Sequence, residues 1–394
     1  MNQPVYNPTF YSPPPYPPQP VQPAPGTAPQ PYPPQPVGYG GYPPHGAGYP
    51  AAPAGALYVP YVPAPPAGPR FSAAPQKDPR KSGGRRAVNL MSLLILLQAL
   101  LSVGIQLAVM GVSAVMGSTL LYTDELAYTW FALAMSPLST ALPFFVYMLV
   151  GKKDWSRYLR FEKTGFFTGL LLVFASLGLC LLADYPAYAV EVLLESLGAS
   201  SASAAAPQIS SMEGFWLELA GVAVLVPVLE EFAFRGALLS GLRRYGTGFA
   251  VAASGLLFGM AHMTPSSVVF ASLAGLVMGF LYAKTNNLWL TVAVHALNNA
   301  LSVVLSNANL LFPSQTAALL LDVLPLGLIG LGMLSLVLLL IFRRQKVFVR
   351  REPDMVVEAQ PALGPGEAIG CMVKAPMFWG VVGMTFIGAA MLFL

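Results

Sequence analysis

The side chains with chemistry to offer are few and sit where they are costly. Glu230, Glu231 and Arg235 fall in one apolar stretch, His262 in the next, His295 with Asn298 and Asn299 in a third, and Asp322 in a fourth. The chain has three histidines in all, and the remaining one, His45, lies in a proline-rich region far from the rest. An ionised side chain at the centre of a bilayer costs on the order of 2.5–3.5 kcal/mol to insert, so such groups are functional by default. A carboxylate and two imidazoles at one depth could activate water and stabilise a developing negative charge, which is hydrolytic chemistry.

Spacing sorts these groups. Glu231 and Arg235 are four residues apart, neighbours on one helical face with the acid N-terminal to the cation, and they are expected to neutralise each other. Glu230 is rotated by about 100° and has no cation within helical reach, which leaves it free for chemistry. His295 and Asn299, again four apart, are expected to point at the same place, as an oxyanion clamp or as metal ligands. Asn298 points elsewhere and reads as an interhelical hydrogen bonder, and Asp322 as a structural or interfacial residue. Measured along their helices, Glu230, His262 and His295 lie roughly 18, 22 and 11 Å from the inner ends of their spans, within boundary error of a common level.

The elements that must carry them are membrane helices. Of 394 residues, 55% are hydrophobic and 10% charged, against about a quarter charged in soluble domains; a soluble globule is excluded. The net charge of +4 is too small and too scattered for a nucleic-acid footprint. Cys180 and Cys371, with no CxxC spacing, exclude a disulfide framework and a cysteine zinc site. Apolar runs predict an all-α polytopic membrane protein of eight to nine spans: Val88–Met116, Leu126–Val150, Phe166–Ala183, Phe215–Leu242, Thr247–Met263, Ser266–Ala283, Leu288–Ser306, Ala317–Phe342 and Met377–Leu394. Twenty of the 21 Lys and Arg fall on alternate connections, which predicts a cytoplasmic N-terminus. The exception, Arg235, needs a partner inside the membrane. The stretch 152–163, which interleaves basic residues with Trp155, Tyr158, Leu159 and Phe161, reads either as an interfacial helix on anionic lipid or as an ordinary basic loop.

Proline marks the other boundary, since 26 of 38 prolines precede residue 88. Residues 1–87 are expected to form a disordered, cytoplasmic Pro/Tyr-rich tail, with a partner for its proline motifs as the alternative to a plain linker. No apolar stretch follows Met1, so a secretory signal is not expected there. Residues 88–210 and 307–394 then frame a central segment, 211–306, that holds the chemistry.

That segment resembles the CAAX prenyl protease and bacteriocin-processing (CPBP, or Abi) intramembrane endopeptidases, whose pattern is EExxxR, FxxxH and HxxxN on separate helices. Here these are Glu230, Glu231 and Arg235 in EEFAFR, Phe258 and His262 in FGMAH, and His295 and Asn299 in HALNN. The resemblance implies a peptidase whose site opens to the cytoplasmic side. In it Glu230 and His262 activate water, His295 and Asn299 stabilise the oxyanion, and Glu231 with Arg235 holds the geometry. It implies membrane-associated or lipidated peptide substrates, as in CAAX trimming or bacteriocin processing. It leaves open whether Glu230, His262 and His295 hold a zinc ion or Glu230 works unaided; the reading here leans to the glutamate-dependent form. Without a C-terminal retrieval signal, a plasma or bacterial inner membrane is expected. The competing readings are a secondary transporter, which buried Glu, His and Asp would suit, and a noncatalytic scaffold recruited through the tail.

Overall fold

The computed structural model describes residues 78–119, 123–199, 207–342 and 362–393. The expected tail up to residue 77, the basic stretch 343–361 and Leu394 lie outside the described residues. The described chain is helical, with a single bridge between Phe161 and Asn287. Seven of its helices are long and apolar enough to cross a membrane. They are α1 (Pro79–Met116), α2 (Glu125–Val150), the segment Phe166–Ser196, α8 (Pro265–Thr285), α9 (Leu288–Ser306), α10 (Ser314–Phe342) and the terminal Pro376–Phe393.

Two expected spans are altered, and both lie at the site. The fifth is α7 (Thr247–Met260), 14 residues long, or about 21 Å, which is short of a hydrocarbon core of about 30 Å. The fourth is an interrupted run: α5 (Met212–Ala220), a π segment Gly221–Leu225, α6 (Val226–Glu231) and a second π segment Phe232–Leu239. The third expected span is α3 (Phe166–Leu182), and it is followed directly by α4 (Asp184–Ser196), a helix where the sequence suggested a polar connection.

α1 begins nine residues before the apolar run at Val88. Asp78 caps it by accepting the Arg80 N–H at 2.9 Å, and Pro79 occupies the first helical position, where its missing N–H costs nothing. Its first half is held by α11 (Pro365–Val373) and α12 (Pro376–Ala390). Lys81 Nζ reaches Glu367 at 3.0 Å, and the Asn89 side chain accepts the Met377 N–H at 2.9 Å. The Gly364 backbone N–H and Lys81 hold the Glu367 carboxyl below its ordinary value.

α7 and α8 pack as an antiparallel hairpin, and α3 packs along α10. On α3 and α10 the backbones touch: a Cβ on Gly178 would lie 2.8 Å from the Gly332 Cα, so neither position has room for a side chain. Small residues of this kind let membrane helices approach without a hydrophobic driving force. The connection 151–165 is neither a long interfacial helix nor a free loop. It contains one helical turn, Trp155–Tyr158; Trp155 and Tyr158 turn inward, whereas Phe161 stays exposed. Trp155 stacks on Phe232, and the Tyr158 carbonyl accepts hydroxyls from Ser240 at 3.0 Å and Tyr282 at 2.8 Å. Leu159 fills the space over Gly236. The segment is a strap bound against the second π segment.

Candidate active site

The site is assembled from the interrupted run, the end of α7 and the middle of α9. Pro227 explains the first interruption. The Val226 N–H reaches back five residues to Gly221, and Pro227 has no N–H to offer Val222. The Val222 carbonyl instead accepts the Asn299 side-chain amide of α9 at 2.9 Å. In the second π segment the carbonyls of Phe234 and Arg235 take the hydroxyls of Ser254 and Ser240, at 3.0 and 3.1 Å. Backbone freed from the regular ladder in a membrane has to be satisfied by side chains, and here it is.

Glu231 and Arg235 are both 0% exposed, and Arg235 NH1 donates to Glu231 Oε1 at 2.7 Å. The guanidinium lies 4.5 Å from the centre of the Phe258 ring, and NH2 faces the Gly275 carbonyl at 3.5 Å. The buried cation is thus met by a carboxylate, an aromatic face and a carbonyl, the kind of compensation its desolvation demands. His295 is the link to the other acid. Its Nδ1 lies 2.9 Å from Glu231 Oε1, and because that carboxylate is paired with Arg235 it can only accept, so Nδ1 carries a hydrogen. Nε2 then faces Glu230 Oε2 at 3.6 Å, within ion-pair reach but longer than a hydrogen bond. Glu230, unlike Glu231, remains partly exposed.

His262 sits just past α7, in the turn before α8, and is exposed. Its Nδ1 is 2.8 Å from the Phe258 carbonyl. A carbonyl only accepts, so Nδ1–H donates, and in the neutral ring the lone pair is on Nε2. Phe258 is the common neighbour of the three motifs. Its ring centre lies 4.9 Å from that of His262, 5.9 Å from that of His295 and 4.9 Å from that of Phe234.

One expectation changes in detail. His295 and Asn299 do not converge on one point, since the imidazole bonds Glu231 while the amide bonds Val222. Among the described residues no group of three or more His, Cys, Asp and Glu side chains is placed to hold a metal ion. Glu230, His262 and His295 thus do not fit a zinc site as arranged. Asp322 is exposed on α10. Sequence reasoning passed over Glu218, which accepts the Asn307 amide at 2.9 Å, and Pro227, whose place inside an apolar helical run was the available signal for a break.

A helical membrane protein with a buried Glu–Arg–His assembly beside a second, accessible Glu is the class these features define. Residues 212–301 match the family described as Type II CAAX prenyl endopeptidase Rce1-like. That stretch carries all three motifs, and the resemblance to the CAAX prenyl endopeptidase (CPBP) family holds over it. The chain is also 28% identical over 83 residues to the Bacillus subtilis (strain 168) protein named "Putative membrane peptidase YdiL". The similarity covers 21% of this chain and about a third, 34%, of that protein's length. No solved structure matches the chain. The protein is an integral membrane protein whose core carries the pattern of a peptidase family.

Proposed function

We propose that the protein is an intramembrane endopeptidase that hydrolyses peptide bonds of membrane-associated proteins or peptides, of the CAAX or bacteriocin-processing kind. The observation that carries this reading is the approach of Glu230 Oε2 to His295 Nε2, 3.6 Å, with His295 fixed from behind by Glu231 and Arg235. A base or electrophile aimed by a buried acid is the recurring logic of hydrolytic sites. Glu230 takes a proton from water, which His262 orients by accepting through Nε2, and the resulting hydroxide attacks the scissile carbonyl carbon. The developing oxyanion is met by the edge of the His295 imidazole that faces Glu230, while Asn299, bonded to the Val222 carbonyl, braces α9 against the first π segment. Glu230 then returns its proton to the leaving amine as the carbon–nitrogen bond breaks.

The glutamate-dependent form is preferred because, among the described residues, no three His, Cys, Asp or Glu side chains are placed together to hold a metal ion. We assign a plasma or bacterial inner membrane location with a cytoplasmic N-terminus, on the alternation of basic connections, and a lipidated or membrane-tethered peptide as substrate. Reconstituted protein is expected to cleave a membrane-tethered peptide, and Glu230→Gln to lower kcat by about 10²–10⁴-fold with the fold intact. Turnover at the unmodified rate in that variant would overturn the reading.

A further inference from the structure

The turn between α7 and α8 has the least regular backbone near the site. The Thr264 N–H bonds the His262 carbonyl at 2.8 Å and closes a three-residue γ-turn. Its central residue, Met263, is held at φ 66°, a conformation that a long side chain adopts only when its surroundings impose it. Because α7 rises only about 21 Å from the basic end, this turn lies at membrane depth, where irregular backbone is tolerated only against protein or against water.

The protein side is supplied by α12, which also starts from the basic end and reaches Gly388 after about 18 Å. A Cβ on Gly388 would lie 2.9 Å from both the Cβ and the carbonyl oxygen of Met263, so the helix backbone itself is pressed on the turn. One turn earlier, Thr385 Oγ1 reaches the Met260 carbonyl at 3.3 Å as well as that of Val381 at 3.0 Å. The other side of the turn presents the exposed His262, with its ring oriented by the Phe258 carbonyl.

We infer that Thr385 and Gly388 of α12 are positioning residues of the active site: they hold the strained Met263 turn and so aim His262 at the water beside Glu230. The inference rests on the peptidase reading above. It extends the catalytic unit to a helix well outside residues 212–301, the part that matches the family.

Gly388→Val is expected to push on Met263 and lower kcat about 10–100-fold with KM within twofold, and Thr385→Val to lower kcat about 3–10-fold, while Thr385→Ser restores it. In the residual turnover of His262→Ala, followed by mass spectrometry over long incubation, Gly388→Val should add no further loss, because the group it misplaces is gone. Gly388→Ala, a smaller intrusion, serves as the second variant should Val not fold, with thermal unfolding as the check. Wild-type kcat in both Gly388 variants would overturn the inference. So would an equal loss with and without His262, or a Thr385→Ser protein as slow as Thr385→Val. If Glu230→Gln is inactive while the Gly388 variants are wild type, only the positioning role falls. If Glu230→Gln turns over normally, the peptidase reading itself has failed.

Discussion

Two stretches of this protein read alike as apolar helix and are treated in opposite ways. The interrupted run from Met212 contains Glu218, Glu230, Glu231 and Arg235, yet Ala233 to Leu239 are all buried. The second half of α1, which has no charge at all, leaves Leu100, Leu107, Met110 and Val115 uncovered. In water the order would be reversed, because apolar surface drives burial there. Lipid tails are as apolar as leucine and give α1 no reason to seek protein, whereas every polar group in the run must find a partner made of protein. Around Glu231 and Arg235 burial follows polarity, and that part of the core is built around its charges.

The contrast can be broken most severely at Arg235. Arg235→Leu leaves Glu231 buried without its cation and is expected to cost about 3–5 kcal/mol in thermal unfolding in bicelles. Replacing both, as Glu231→Gln with Arg235→Met, should recover much of that stability while leaving His295 unaimed and the protein slow. Asn299→Leu comes next: it strands the Val222 carbonyl, for about 1–3 kcal/mol, and should loosen α9 against the first π segment. At the other pole, Leu107→Ala on α1 should stay within about 0.5 kcal/mol. A larger loss there would mean that protein, rather than lipid, covers that face.

The smallest effect concerns the clamp between α1 and α11. The Glu367 carboxyl is held below its ordinary 4.5 by the Gly364 N–H and by Lys81. Its contribution is therefore complete above the unfolded value and fades as pH drops through the lowered one. Hydrogen exchange of α11 should rise only below pH 4.5, and Glu367→Gln should remove that dependence.

What could be read from residues alone was whatever depends on i,i+4 geometry or on composition. The Glu231–Arg235 pair, the helical class and the three motifs are of that kind, and each follows from a face or a count. The π segments are not, because a five-residue register preserves the apolar composition while turning the face. Pro227 hinted at a break without saying which side chain would answer it. Asp78 before Pro79 was a legible helix start, outweighed by the charged residues that follow. The inward turn of Trp155, Tyr158 and Leu159 was hidden because a basic, aromatic stretch suits a lipid surface equally well. The Met263 turn is set by α12, more than a hundred residues away, and no local pattern encodes it.

α1 carries one further consequence. Its 38 residues measure about 57 Å, nearly twice a hydrocarbon core of about 30 Å. It is fastened through Lys81 and Asn89 near one end, and toward the other Leu107, Met110 and Val115 are exposed. A helix of that length is accommodated by tilting, and its packing on α11 and α12 at the basic end sets the direction in which the exposed half leans through the lipid.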